Sequence, residues 1–88
     1  MLKQKQFAFG NLVGAIYDFS EANDVLPMHT HDDTTAHITI VSKGSFKAHG
    51  IGWEKTLVSG NVVDFPAYQS HEFIALEPGS RLVNIVKS

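Results

Sequence analysis

The sequence contains no cysteine, and this absence removes several chemistries at once. Without cysteine the chain has no disulfide framework, no thiolate ligand for a metal and no cysteine nucleophile. It also lacks the run of about 18 apolar residues that a membrane-spanning helix requires. Its seven basic and nine acidic residues are scattered, so no basic cluster offers a surface to nucleic acid or to an anionic membrane. Partners of those two kinds are not expected.

The chain is short, and its length limits the core that it can form. Its 88 residues, 43% of them hydrophobic, match a single domain over residues 1–88. A chain of this length buries roughly 60 to 65% of its unfolded surface, so an apolar interface with a second copy would add to its core. We therefore expect a homodimer. Gly10 and Asn11 interrupt the apolar N-terminal stretch and no cleavage pattern follows, so no signal peptide and a cytoplasmic location are expected.

Hydrophobic residues fall in short runs rich in Val, Ile, Phe and Thr, bounded by Gly, Pro, Asn or Ser. This pattern is typical of β-strands, and no window combines the period and the capping signals of a helix. The predicted strands are Gln6–Phe9, Leu12–Phe19, Val25–Met28, Ala36–Ser42, Ser45–His49, Trp53–Val58, Asn61–Phe65, His71–Leu76 and Arg81–Lys87. Many short strands at regular spacing predict an all-β sandwich or barrel.

Three of the five histidines lie within nine residues, in the stretch HTHDDTTAH. Because strand side chains alternate between faces, His29 and His31 share one face, and His37 shares a face with Thr39 and Val41. Neutral imidazole binds Zn, Cu, Fe and Ni well. The residues alone leave two interpretations open: a set of metal ligands, or polar side chains at the mouth of a small β fold.

The spacing of these histidines resembles the first of two motifs that carry the metal site of the cupin superfamily. That motif is a Gly, five residues, His-x-His, three or four residues, a Glu, six residues and a Gly. Here His29 and His31 supply the histidine pair, and His37, six residues ahead of Gly44, stands in place of the Glu. The spacer between His31 and His37 has five residues, and Asn23 stands at the position of the opening glycine.

A second segment resembles the other cupin motif, which is a Gly, five residues, Pro, any residue, Gly, two residues, His, three residues and Asn. Gly60, Pro66 and His71 stand at matching spacings, whereas Tyr68 replaces the second Gly and Ala75 replaces the Asn. The matched region runs from residue 23 to residue 75. The chain thus resembles the small, single-domain, RmlC-like cupins that bind a metal. The resemblance implies a double-stranded β-helix, which is a jelly-roll barrel.

The resemblance also implies a histidine cluster that binds one divalent transition metal inside the barrel, through His29, His31, His37 and His71. Two roles stay open for His37, which either binds the metal or hydrogen-bonds to another ligand or to a substrate. Because histidine replaces the family's glutamate, an all-histidine site keeps the full charge of a divalent ion and favours an anionic ligand. The order in which a given protein site binds divalent metals does not identify the native ion among Fe, Zn, Ni, Mn and Cu.

Other polar residues give weaker indications of a role in the site. Tyr68 stands in the approach to His71, where its phenol is either a hydrogen-bond or proton donor to a ligand or, more simply, a rim aromatic. Asp32 and Asp33 are either acceptors behind the ligands or, more simply, part of a solvated loop. His49 lies beside a glycine turn, away from both motifs, and is expected to be an exposed loop residue.

Two classes of function stay open at the level of the sequence. The first is a small metalloenzyme, of dioxygenase, isomerase or lyase type, whose ion acts on a small polar or anionic molecule. The second is a noncatalytic module that binds or senses a small ligand, with a structural metal or none. The sequence has no Gly-x-Ser-x-Gly elbow and no predicted inward pair of carboxylates. Tyr68 is therefore the one non-histidine candidate for catalysis, and the enzyme assignment stays undecided.

Overall fold

A computed structural model describes residues 1–30, 36–65 and 68–87, and within these ranges every regular element is a β-strand. In chain order the described strands are β1 (Leu2–Phe9), β2 (Leu12–Phe19), β3 (Val25–His29), β4 (Ala36–Lys43), β5 (Ser45–Gly50), β6 (Trp53–Val58), β7 (Val62–Val63), β8 (His71–Ala75) and β9 (Ser80–Lys87). The all-β prediction is confirmed. In the described part of the chain, no helix has the length and apolar character that a membrane span requires.

Two of the predicted strand boundaries were wrong by more than one residue. β1 begins at Leu2 rather than Gln6, because its polar first half pairs residue for residue with β2, Leu2 lying opposite Phe19. Pairing with β2 makes this polar segment a strand, although the β-propensity of its own residues does not predict one. β7 has two residues rather than five, since only Val62 and Val63 pair with β4.

The strands form two antiparallel sheets whose inner faces enclose the core. The five-stranded sheet has the order β1-β2-β9-β4-β7, and the four-stranded sheet has the order β3-β8-β5-β6. Phe19, Val41 and Leu82 from the first sheet and Phe46 and Phe73 from the second are fully buried between them. Edge-to-face packing of Phe46 against Phe19 joins the two layers, and Phe46 also packs edge-to-face on Phe73 of its own sheet.

Alternation along β4 carries one motif histidine into the barrel. His37, Thr39 and Val41 are buried, whereas Ile38 between them is 39% exposed. The predicted face of His37 is therefore confirmed. Strand β8 behaves in the same way, since His71 at its start is fully buried.

The two positions where the sequence departs from the cupin glycines share an unusual backbone conformation. Asn23 has a φ of 72° and Tyr68 a φ of 61°, in the left-handed region that glycine adopts most readily. Asparagine tolerates this region, but a bulky residue is strained there by about 1 to 2 kcal/mol. Both positions therefore have a backbone conformation that glycine adopts more readily than the residue that stands there.

We expect Tyr68→Gly to raise the free energy of unfolding by up to about 1 kcal/mol, because the strain released exceeds the entropy that glycine adds to the unfolded chain. The Tyr68 side chain is 66% exposed, so its removal exposes little further apolar surface. Urea denaturation measures the change. Tyr68→Ala, which removes the ring but keeps Cβ, is the matched control and should show no gain. Equal stability of the two variants would contradict the prediction.

Candidate functional site

His29 and His71, one from each motif, face each other where β3 pairs with β8. The two residues are partners in the antiparallel register, just past a shift that follows Leu26. Their ring centroids lie 4.3 Å apart with the planes inclined at 68°. His71 is fully buried and His29 is half-buried. Strand pairing thus brings together two imidazoles that are far apart in the sequence.

A backbone carbonyl two residues earlier in the chain fixes the tautomer of each ring. Nδ1 of His29 lies 2.8 Å from the carbonyl oxygen of Pro27, and Nδ1 of His71 lies 2.9 Å from that of Gln69. Because a carbonyl only accepts, Nδ1 carries the hydrogen in each neutral ring and the lone pair is on Nε2. Histidines that bind metals commonly have this support behind the ligating nitrogen. The pair therefore has the donor arrangement that metal-binding histidines use.

Phe65 fixes the plane of the His71 ring. The two rings stack with centroids 4.1 Å apart and planes inclined at 12°, and Phe65 also packs edge-to-face on Phe73. This contact restricts rotation of the imidazole. No local pattern in the sequence indicates this contact, because Phe65 lies outside the strands, two residues after β7, and His71 begins β8.

His37 approaches the same region from the five-stranded sheet. It is 9% exposed, and its ring centroid lies 6.5 Å from that of His71 with the planes inclined at 26°. Within residues 1–30, 36–65 and 68–87, no three side chains of the ligating types form a set that could hold a metal ion. The described residues thus bring two imidazoles close together and hold a third farther away.

The remaining predicted residues of the site are placed only in part. His31, Asp32, Asp33 and Pro66 lie outside the described residues, so the expectations for them stay predictions. Tyr68 lies in the turn ahead of β8 with its side chain largely exposed, a position that suits a rim aromatic.

The prediction that His49 is an exposed loop residue was wrong. His49 lies in β5, opposite Glu72 of β8, and its Nε2 is 2.9 Å from Glu72 Oε1 with both side chains about one quarter exposed. The other carboxylate oxygen of Glu72 accepts the N–H of Met28 at 3.2 Å. Glu72 therefore links β3, β5 and β8 on the side of the sheet behind His71. The glycine turn misled the prediction because β5 continues through Gly50.

A cavity of about 650 Å³ opens beside His37. Its polar lining, besides His37, consists of Gln4, Gln6, Tyr17 and Asn84. Apolar residues of β1, β2 and β9 form the rest of the wall. The described residues that line it include no carboxylate, lysine or arginine. Sequence reasoning missed this set because its members meet only through the pairing of β1 with β2, β2 with β9 and β9 with β4.

Asn84, which lines this cavity, is held by a buried hydroxyl group. The hydroxyl of fully buried Thr39 donates to Asn84 Oδ1 at 2.8 Å. Burial raises the pKa of Tyr17, and a smaller opposing effect is its hydrogen bond with Asn84, which lowers the pKa. The Asn84 amide oxygen thus accepts from Thr39, and Asn84 lies next to Tyr17 on the cavity wall.

Comparisons with known proteins address the fold. No family model and no curated protein matches the sequence. Among solved structures, KdgF from Halomonas sp. is 24% identical with a TM-score of 0.84, covering 98% of this chain and 77% of that chain. An RmlC-like cupin from Shewanella frigidimarina is 21% identical with a TM-score of 0.80, covering 98% and 75% respectively. Another, from Desulfovibrio desulfuricans, is 18% identical with a TM-score of 0.83, covering 98% and 81%.

These likenesses define the class of protein as an all-β barrel of two antiparallel sheets. More particularly, the chain has the fold of the cupin superfamily, including its RmlC-like members. The fold that the two sequence motifs implied is therefore confirmed.

Proposed function

We propose that this chain is a small cupin that binds one divalent transition metal through a histidine cluster inside its barrel. The observation that carries the proposal is the pair His29 and His71, whose rings are 4.3 Å apart and whose Nδ1 atoms both bond to backbone carbonyls. Nε2 of each ring is then the ligating nitrogen. His31, two residues after His29, and His37, on the opposite sheet, complete the proposed donor set.

The proposed donor set is entirely neutral, which affects the ligand that it would attract. A bound divalent ion would keep its full charge and would polarise a carboxylate or carbonyl oxygen of a small molecule. Imidazole donors suit Zn, Cu, Fe and Ni. His37 lines the 650 Å³ cavity, so a molecule held at the cluster has adjoining space to occupy.

The chain's own residues orient the cluster and limit the access of water to it. The carbonyl groups of Pro27 and Gln69 keep the hydrogen on Nδ1 of their histidines. Phe65 covers one face of the His71 ring, and burial excludes water from that ring entirely. A histidine held in this way offers its lone pair without first losing rotational freedom.

Elemental analysis of the protein purified without added metal tests the proposal. About one equivalent of a divalent transition metal per chain is expected, because a preformed set of imidazoles retains its ion through purification. Protein that contains no metal and takes up neither zinc nor cobalt would contradict it. The coordination number then separates the two classes of function: an open position with exchangeable water favours a metalloenzyme, and a closed four-histidine site favours a noncatalytic module.

We further propose that the chain forms a homodimer through the outer face of its five-stranded sheet. Four large apolar side chains on that face are well exposed: Phe9 by 72%, Val62 by 59%, Leu12 by 43% and Ile38 by 39%. Apolar patches of this kind are rare on monomeric proteins and mark interaction sites. A stable interface covers about 800 Å² on each partner, a large share of so short a chain.

We expect Phe9→Lys to convert the dimer to a monomer, because it places a charge in the apolar patch without disturbing the core. Light scattering coupled to size-exclusion chromatography measures the mass, with 9.7 kDa as the mass of one chain. Ile51→Lys is the matched control, since Ile51 is 91% exposed in the turn between β5 and β6 of the other sheet. A monomeric wild type, or a Phe9→Lys variant that stays dimeric, would contradict the proposed interface.

A further inference from the structure

Strand β3 carries a β-bulge just ahead of His29. Leu26 and His29 both pair with residues of β8. Between these two pairs, β3 has Pro27 and Met28, whereas β8 has Glu72 alone. Two residues that stand opposite one form a bulge, which bends the strand and redirects the side chains that follow. The pairing of β3 with β8 thus contains one extra residue on β3.

The extra residue determines the side of the sheet on which His29 lies. Leu26 pairs with fully buried Phe73 and packs against the core, so its side chain points into the barrel. Side chains alternate along a regular strand, so a residue three positions after Leu26 would point outwards. The bulge reverses this phase and places His29 opposite His71, with the two rings in contact. The approach of the two imidazoles therefore depends on the bulge.

The backbone groups of the bulge are bonded to side chains. Pro27 has no N–H, and its carbonyl oxygen accepts from Nδ1 of His29 at 2.8 Å. The N–H of Met28 donates to Glu72 Oε2 at 3.2 Å. The other carboxylate oxygen of Glu72 lies 2.9 Å from Nε2 of His49 on β5. The bond to the Met28 N–H is the one that reaches the bulge.

We propose that Glu72 is a positioning residue for the metal centre, which acts from outside the barrel through the Met28 N–H. Among the described strands β3 pairs with β8 alone, so a single neighbour fixes its register. The Glu72 carboxylate stabilises the bulged register, in which His29 points inwards, against the regular register, in which His29 points outwards.

The inference rests on the proposed metal binding, since an ion held by His29 selects the bulged register. Register and binding are then coupled in both directions: Glu72 strengthens metal binding by stabilising the bulge, and the bound metal stabilises the bulge in return. This coupling assigns a role in the metal centre to a residue that does not contact the ion.

Titration of the metal-free protein with cobalt(II) tests this role. Glu72→Ala removes the acceptor of the Met28 N–H and should weaken cobalt binding at least about tenfold, as loss of a partner behind a metal ligand does. Glu72→Gln keeps an acceptor oxygen and should restore most of the affinity. Glu54→Ala is the matched control: Glu54 also lies opposite His49, but on β6, where it pairs with Lys47, and its loss should leave binding unchanged.

The visible spectrum of the bound cobalt separates positioning from a general loss of stability. The spectrum of Glu72→Ala should shift towards that of His29→Ala, because the ion loses the same imidazole in both variants. A variant that is only less stable would keep the wild-type spectrum, and circular dichroism shows whether each variant folds. Wild-type affinity in Glu72→Ala, or an equal loss of affinity in Glu72→Gln, would overturn the positioning role.

The outcomes distinguish a failure of this inference from a failure of the metal centre. If the wild type binds no cobalt, the metal centre is overturned, and proton NMR of the metal-free protein decides the role of Glu72 alone. The rings of His29 and His71, with centroids 4.3 Å apart, should give a nuclear Overhauser effect in the wild type. Its loss in Glu72→Ala but not in Glu72→Gln, with faster exchange of the Met28 amide, supports the inference. An unchanged effect in Glu72→Ala overturns it.

Discussion

The His71→Ala variant is expected to lose the metal that we propose this chain binds. His71 is fully buried, its Nδ1 is committed to the Gln69 carbonyl, and its ring lies beside that of His29. Loss of a residue that merely supports a metal ligand typically costs 10- to 100-fold in affinity, so loss of the ligand itself should cost at least about 100-fold. Elemental analysis after dialysis against metal-free buffer, with zinc titration, measures the change.

Two further variants keep this test informative. His71→Ala also leaves a void beneath Phe65, so circular dichroism must show that this variant folds. His29→Ala removes a ligand at a half-buried position and gives a second measurement of metal content. His49→Ala is the matched control, because this histidine bonds to Glu72 behind the sheet and should leave the metal content unchanged. Full metal content in both His29→Ala and His71→Ala would contradict the proposed centre.

Gly44→Ala is expected to cause a large loss of stability. Gly44 has a φ of +75°, and a Cβ at this position would lie 2.1 Å from Ser80 Oγ and 2.8 Å from Ser80 Cα. The left-handed conformation costs alanine about 1 to 2 kcal/mol, and relief of the overlap requires movement of the β9 backbone at a further cost of about 1 to 3 kcal/mol. Since domains of this kind are stable by only about 5 to 15 kcal/mol, much of the margin would be lost.

Gly52→Ala provides the matched control for this effect. Gly52 has a φ of +78°, nearly that of Gly44, but nothing lies within 4 Å of a Cβ built there. This variant therefore shows the conformational cost without the overlap. Urea denaturation should find Gly44→Ala the less stable of the two by at least about 1 kcal/mol. Equal losses would mean that the contact with Ser80 is unimportant.

Much of the fold could be predicted from the sequence because strand signals are local. Alternation placed His37 and the start of β8 on the inner faces, and turn glycines marked most of the strand ends. The spacing of the motifs indicated the barrel although Asn23 and Tyr68 had replaced two glycines. Those substitutions are compatible with the motif because the backbone keeps its left-handed conformation at both positions.

The parts that sequence reasoning missed depend on pairing between distant strands. Gln4 and Tyr17 lie opposite each other on β1 and β2, and Asn84 joins them from β9, at the other end of the chain. No local pattern distinguishes these residues from ordinary strand residues that alternate between faces. The stacking of Phe65 on His71 likewise joins a residue outside the strands to the start of β8.

The two sheets carry different chemistries on their inner surfaces. The four-stranded sheet presents the imidazoles of His29 and His71, and the five-stranded sheet presents the hydrogen-bonding groups of Tyr17 and Asn84. Among the described histidines, His37 lies on the five-stranded sheet. Because the two sets of side chains belong to separate layers, a substitution in one layer changes its own polar groups while those of the other layer stay in place. His37 is the exception, since its ring lies both near His71 and on the wall of the cavity.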